Sequence, residues 1–103
     1  MELSKISGLG PFTKKTEKLD NYSSRDIFFP ENSEKPFLIV NKNTMELRTD
    51  DKLGKLLIEK YESVMQSRYF GSRGLEIVTT ADQLKKDELE DLVRLSYNLT
   101  KDL

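Results

Sequence analysis

The segment Ser67-Arg68-Tyr69-Phe70-Gly71-Ser72-Arg73-Gly74 concentrates the residue types of this chain best suited to holding an anion. Two arginines bracket two aromatic residues, and the glycines let the backbone come close to whatever is bound. A guanidinium grips phosphate through two hydrogen bonds, and a tyrosine ring stacks on an unpaired base. Upstream, Lys52, Lys55 and Lys60 could extend a basic surface towards Arg68. The candidate nucleic-acid contacts are therefore Arg68, Tyr69, Arg73, Lys52 and Lys55. The same side chains also have a plainer use. Phe70 fills a core, Tyr69 packs at its edge, both arginines pair with nearby carboxylates, and the lysines solvate a helix. Glu59 stands close enough in sequence to neutralise part of any patch.

Other chemistry is narrowed by what is missing. The chain has 103 residues with no cysteine and no histidine. That removes thiolate metal sites, disulfides and cysteine nucleophiles, together with the commonest general base and transition-metal ligand. Ser96 lies on an apolar helical stripe, where its hydroxyl is expected to bond the carbonyl four residues back. No lysine stands at a spacing that would activate it. No base–nucleophile pair is legible, so no enzyme and no cofactor is expected. The acidic group Asp87, Glu88, Glu90 and Asp91 suits a helix start, where the macrodipole favours negative charge, and it lacks the glycine-turned loop of a calcium site. No metal partner is expected either.

Charge is balanced, 17 basic against 18 acidic residues, so any affinity for a polyanion must come from a local patch. The longest apolar runs, Phe37–Val40 and Leu56–Ile58, fall far short of the ~20 residues that cross a bilayer. Met1–Lys5 has no signal-peptide pattern. These features predict a cytoplasmic protein without a membrane partner.

The elements that must position the candidate residues are read from periodicity. Residues 1–25 carry little of it and are expected to be an irregular lead-in, or with Ile6, Leu9 and Phe12 a short strand or arm over the core, in a single domain spanning 1–103, which could itself be part of a larger protein. Ile27-Phe28-Phe29 reads as a strand closed by Pro30, and Phe37–Asn41 as a second. Asn41-Lys42-Asn43 turns the chain into the alternating strand Thr44–Arg48, with Met45 and Leu47 facing a core and Glu46 and Arg48 facing water. At Asp50 the period changes. Leu53, Leu56, Leu57, Tyr61 and Val64 form one stripe of a helix near residues 51–64. A hairpin of Arg68–Phe70 against Leu75–Thr79 follows. A last helix over residues 85–101 turns Leu89, Leu92, Val93, Ser96 and Leu99 inward. Strands, helix, strands, helix make an α+β two-layer sandwich, an antiparallel sheet with both helices on one face.

From Phe37 onward the chain resembles the bacterial MmcQ/YjbR family. Leu56-Leu57-Ile58-Glu59-Lys60-Tyr61-Glu62-Ser63-Val64 is similar to the family's L-x-x-x-Y-x-x-V helix end. Ser67-Arg68-Tyr69-Phe70 matches its Arg/aromatic segment, and Leu95-Ser96-Tyr97 its terminal SY signature. The resemblance implies a CyaY-like fold and a non-specific DNA-binding module with a double-wing motif. The family's N-terminal helix, and the tryptophan with an adjacent histidine or asparagine on the strand after the Arg/aromatic segment, have no counterpart here. Roles resting on those side chains are not carried over. The competing reading is a protein-interaction or self-association domain that uses an exposed sheet face or edge, without nucleic acid.

The absence of histidine and cysteine carries a direct prediction. Protein purified without added metal contains no stoichiometric zinc or iron, as elemental analysis will report.

Overall fold

Strands dominate the first half of the chain, and of these only Thr44–Arg48 alternates apolar and polar residues cleanly. The computed structural model describes residues 2–103; Met1, at the head of the expected lead-in, lies outside them. The strands are β1 (Phe12–Lys18), β2 (Ser24–Pro30), β3 (Leu38–Val40), β4 (Thr44–Arg48), β5 (Val64–Ser67) and β6 (Gly71–Val78). They form one antiparallel sheet in the order β1-β2-β3-β4-β6-β5. Two helices, α1 (Asp51–Lys60) and α2 (Lys86–Lys101), complete an α+β two-layer sandwich.

Register decides which face the helices cover. Leu38 pairs with Leu47, Leu47 with Leu75, Met45 with Ile77 and Ile77 with Val64, so these side chains share one face. They pack with Leu53 and Leu57 of α1 and with Leu92, Val93 and Tyr97 of α2 in a single core. Both helices therefore lie on one side of the sheet, as the change of period at Asp50 predicts. Asp50 caps α1 through its carboxylate, which accepts from the Leu53 amide at 2.8 Å.

Several elements differ from the sequence reading. Residues 2–25 are not an irregular lead-in. Phe12–Lys18 pairs along its whole length with Ser24–Pro30, and Leu3 and Ile6 are buried in the core. The Tyr97 hydroxyl donates to the Pro11 carbonyl at 2.7 Å and Arg94 to the Ser7 carbonyl at 2.9 Å. These anchors come from α2, at the other end of the sequence, so local periodicity carries no trace of them. Helix α1 stops at Lys60, because Tyr61 turns extended and Val64 enters the edge strand opposite Ile77. The spacing of Tyr61 and Val64 fits a helix and a strand entry alike. Leu56 and Leu99 are exposed and do not belong to the core.

Ser96 also departs from expectation. Its hydroxyl donates to the Phe37 carbonyl and accepts from the Arg48 amide at 2.8 Å, which joins α2 to the ends of β3 and β4. Thr100, not Ser96, bonds the carbonyl four residues back, at 2.7 Å. Because Ser96 is fully buried, Ser96→Ala strands a carbonyl and an amide that water cannot reach. Urea denaturation should show a loss of about 1–3 kcal/mol.

Candidate functional site

On the face without helices, strand pairing lines up Lys15, Ile27, Ile39, Glu46, Glu76 and Met65 in one row across the sheet. Glu46 and Glu76 stand directly opposite each other, only 2% and 3% exposed. Like charges in that position repel, and each buried carboxylate must replace the hydrogen bonds it had with water. The end of β5, the turn after it and the β3–β4 turn supply them. The Ser67 hydroxyl and the Tyr69 amide donate to Glu46 Oε1 at 2.8 and 3.0 Å, and Asn41 Nδ2 donates to Oε2 at 3.0 Å. Arg68 forks onto Glu76, with Nε on Oε1 at 2.9 Å and Nη2 on Oε2 at 2.7 Å.

The turn is therefore laid over the sheet. A register shift at Gln66/Ser67 starts it, and the Ser67 hydroxyl also accepts from the Phe70 amide at 2.9 Å. Phe70 rests on Gly74, where an added Cβ would lie 2.5 Å from the Phe70 Cβ, so a side chain at 74 would displace the ring. The Arg48 guanidinium stacks over Phe70 at 4.7 Å and that of Arg25 over Tyr69 at 5.7 Å. Arg25 also pairs with Glu17 at 2.8 Å. Two aromatic rings, three arginines and three carboxylates thus form one connected surface.

The sequence-predicted residues divide between the two faces. Arg68 and Tyr69 lie on the helix-free face, but in a turn, not in the strand expected over Arg68–Phe70. The bonds to Glu46 and Glu76 pull this segment out of the edge strand. The Arg68 side chain is 77% exposed and Tyr69 is 48% exposed. Lys52 and Lys55 belong to α1, on the other side of the sheet from Arg68, where Lys55 lines a cleft with Gln66 and Ser72. Arg73 stands beside Asp50 and Asp51 where α1 begins. Glu46 is buried and does not face water as expected; it, Glu76, Ser67, Arg25 and Arg48 are site residues that the sequence reading missed. A signal for two of them was present. Met45-Glu46-Leu47 and Leu75-Glu76-Ile77 are matching apolar–acid–apolar triplets in strands that the structure pairs residue for residue.

The surroundings set the charge of these groups. Burial opposes ionisation of Glu46, but the donors on Tyr69, Asn41 and Ser67, with the charge of Arg68, outweigh it and hold the carboxyl below its usual range. The hydrogen bonds and charge of Glu76 hold the Arg68 guanidinium above its ordinary value. No group of three or more His, Cys, Asp or Glu among the described residues could hold a metal ion, and no helix of these residues is long and apolar enough to cross a membrane. No protein-family profile, curated protein or solved structure matches this chain.

A depressed carboxyl contributes stability that is fully present above its unfolded value, near 4.5, and is lost as pH falls through the folded value. Glu46→Gln should therefore be destabilised at pH 7 by about 1–3 kcal/mol, because one amide cannot satisfy donors on both sides. The gap between parent and variant should narrow steadily below pH 4.5 in urea titrations.

Proposed function

We propose that the helix-free face binds DNA weakly and without sequence preference, the activity implied by the resemblance to the MmcQ/YjbR family. One observation carries the reading. Tyr69, half exposed, sits between Arg25 beneath its ring and the largely exposed Arg68, on a turn held rigid by two buried carboxylates. A ring and cations held in place before binding lose little freedom on contact with a base and its phosphate. Nη1 of Arg68 makes no hydrogen bond among the described residues and is available to a phosphate oxygen. The carboxylates on the same face keep its field low, which suits weak binding through a few phosphate contacts.

With about three phosphate contacts, the log–log salt slope should be roughly −3 on duplex and about −2 on single strands. Dissociation constants should be around 10⁻⁴–10⁻⁶ M at physiological salt. Replacing Arg68 by alanine is not a clean test, because it leaves Glu76 buried without a partner. Tyr69→Ala is cleaner. Its side chain can be removed while the backbone amide still serves Glu46, and affinity for single-stranded DNA should fall about tenfold, more than for duplex. Fluorescence anisotropy on random oligonucleotides at two salt concentrations measures both. Absence of binding at low salt, or a Tyr69→Ala variant that binds as the parent does, defeats the proposal.

A further inference from the structure

On the other side of the sheet, α1 and α2 leave an open groove between them. Its walls are apolar, with Leu53 and Leu57 from α1, Leu92 and Leu95 from α2, and Leu84 at one end. Leu56 continues this surface on α1 and is 58% exposed, without contact to the core. The two rims differ in sign. On α1, Lys52, Leu56 and Lys60 follow at intervals of four residues, which stacks them along the outer flank as a Lys-Leu-Lys ridge. On α2, Glu88 and Asp91 line the opposite rim. These charges have internal partners as well. Lys60 lies 5.2 Å from the Tyr61 ring, Glu88 accepts from the Lys85 amide at 3.0 Å, and Asp91 pairs with Arg94. Glu59 stands one turn after Lys55 on the same helix.

A surface with a basic rim, an apolar middle and an acidic rim is complementary to itself under one operation. A two-fold axis running along the groove places each point of the patch against its mirror position across the groove line. The apolar strip then meets the apolar strip, and the basic rim of each copy meets the acidic rim of the other, twice. We infer that this groove is the interface of a homodimer, in which α1 of one copy packs against α2 of its partner. The occupant is a second copy because the complementary charges stand on this chain, on the two helices that border the groove. The surface is short, and its charges are partly committed within each copy. The dimer is therefore weak, with a dissociation constant of about 10⁻⁵–10⁻³ M, and it loosens as salt screens the rims. This interface lies on the opposite side of the sheet from Arg68 and Tyr69 and stands independently of the DNA proposal.

Sedimentation equilibrium of the full chain from about 10 µM to about 1 mM, at low and high salt, tests it. The parent should pass from monomer to dimer in this range and should shift towards monomer at high salt. Leu56→Gln alters only an exposed side chain, should leave thermal unfolding unchanged, and should weaken association at least tenfold. A copy carrying Lys52→Glu and Lys60→Glu has two acidic rims; a copy carrying Glu88→Gln and Asp91→Lys has two basic ones. Each should be monomeric alone, and an equimolar mixture should dimerise. A parent that stays monomeric to about 1 mM overturns the proposal. So does a Leu56→Gln variant that associates as the parent does, and Leu56→Gln keeps the test decisive should the α2 variant fold poorly.

Discussion

Glu46 and Glu76 face each other across β4 and β6 almost out of reach of water, and the helix-free half of the molecule is arranged around their need for donors. A pair of buried, like-charged groups is tolerated only where each finds its own hydrogen bonds. Asn41 comes from the β3–β4 turn, Ser67 from the end of β5, and Arg68 and Tyr69 from the β5–β6 turn. The second of these turns cannot swing outward without stranding a carboxylate. The orientation of Arg68 and Tyr69 thus follows from Glu76 on the next strand and from Glu46 on β4, which lies far back in the sequence. The arrangement also marks register, since a slip of one residue would carry Glu46 and Glu76 into the helix-covered core and expel Leu47 and Leu75.

The two sides of the sheet solve burial differently. Beneath the helices the core is apolar and aromatic, with Phe37 edge-on to both Phe12 and Tyr97. A single hydroxyl, that of Ser96, closes the carbonyl of Phe37 and the amide of Arg48 at the strand ends. The helix-free side is closed by ion pairs and by arginines stacked on rings. Helix α2 is the common tie. It clamps β3 and β4 through Ser96, and it holds the N-terminal segment through Tyr97 and Arg94.

This division also separates the basic residues. Arg25, Arg48 and Arg68 are committed to carboxylates or rings on one face, while Lys52, Lys55 and Lys60 line α1 on the other. A near-neutral chain thereby presents two local surfaces of distinct chemistry, one of planar cations and aromatics and one of leucines between opposite charges. The sheet between them allows both to be occupied at once.

The antiparallel α+β architecture was legible in the residues. Alternation in Thr44–Arg48, the cap at Asp50 and the stripe through Leu92 and Val93 are local signals that depend on neighbours within a few positions, and tertiary structure respected them. The strand at Phe12–Lys18 was not legible, because it is held by pairing with β2 and by contacts to α2, and its own lysines and threonines carry little apolar alternation. The burial of Glu46 has no local signal for a related reason: period two says which residues share a face, but not whether water reaches it. The Arg/aromatic segment was recognisable as the most suggestive chemistry in the chain. That Ser67 and Tyr69 meet Glu46 while Lys52 lies across the sheet was decided only by strand order and register, which set distances between residues far apart in sequence.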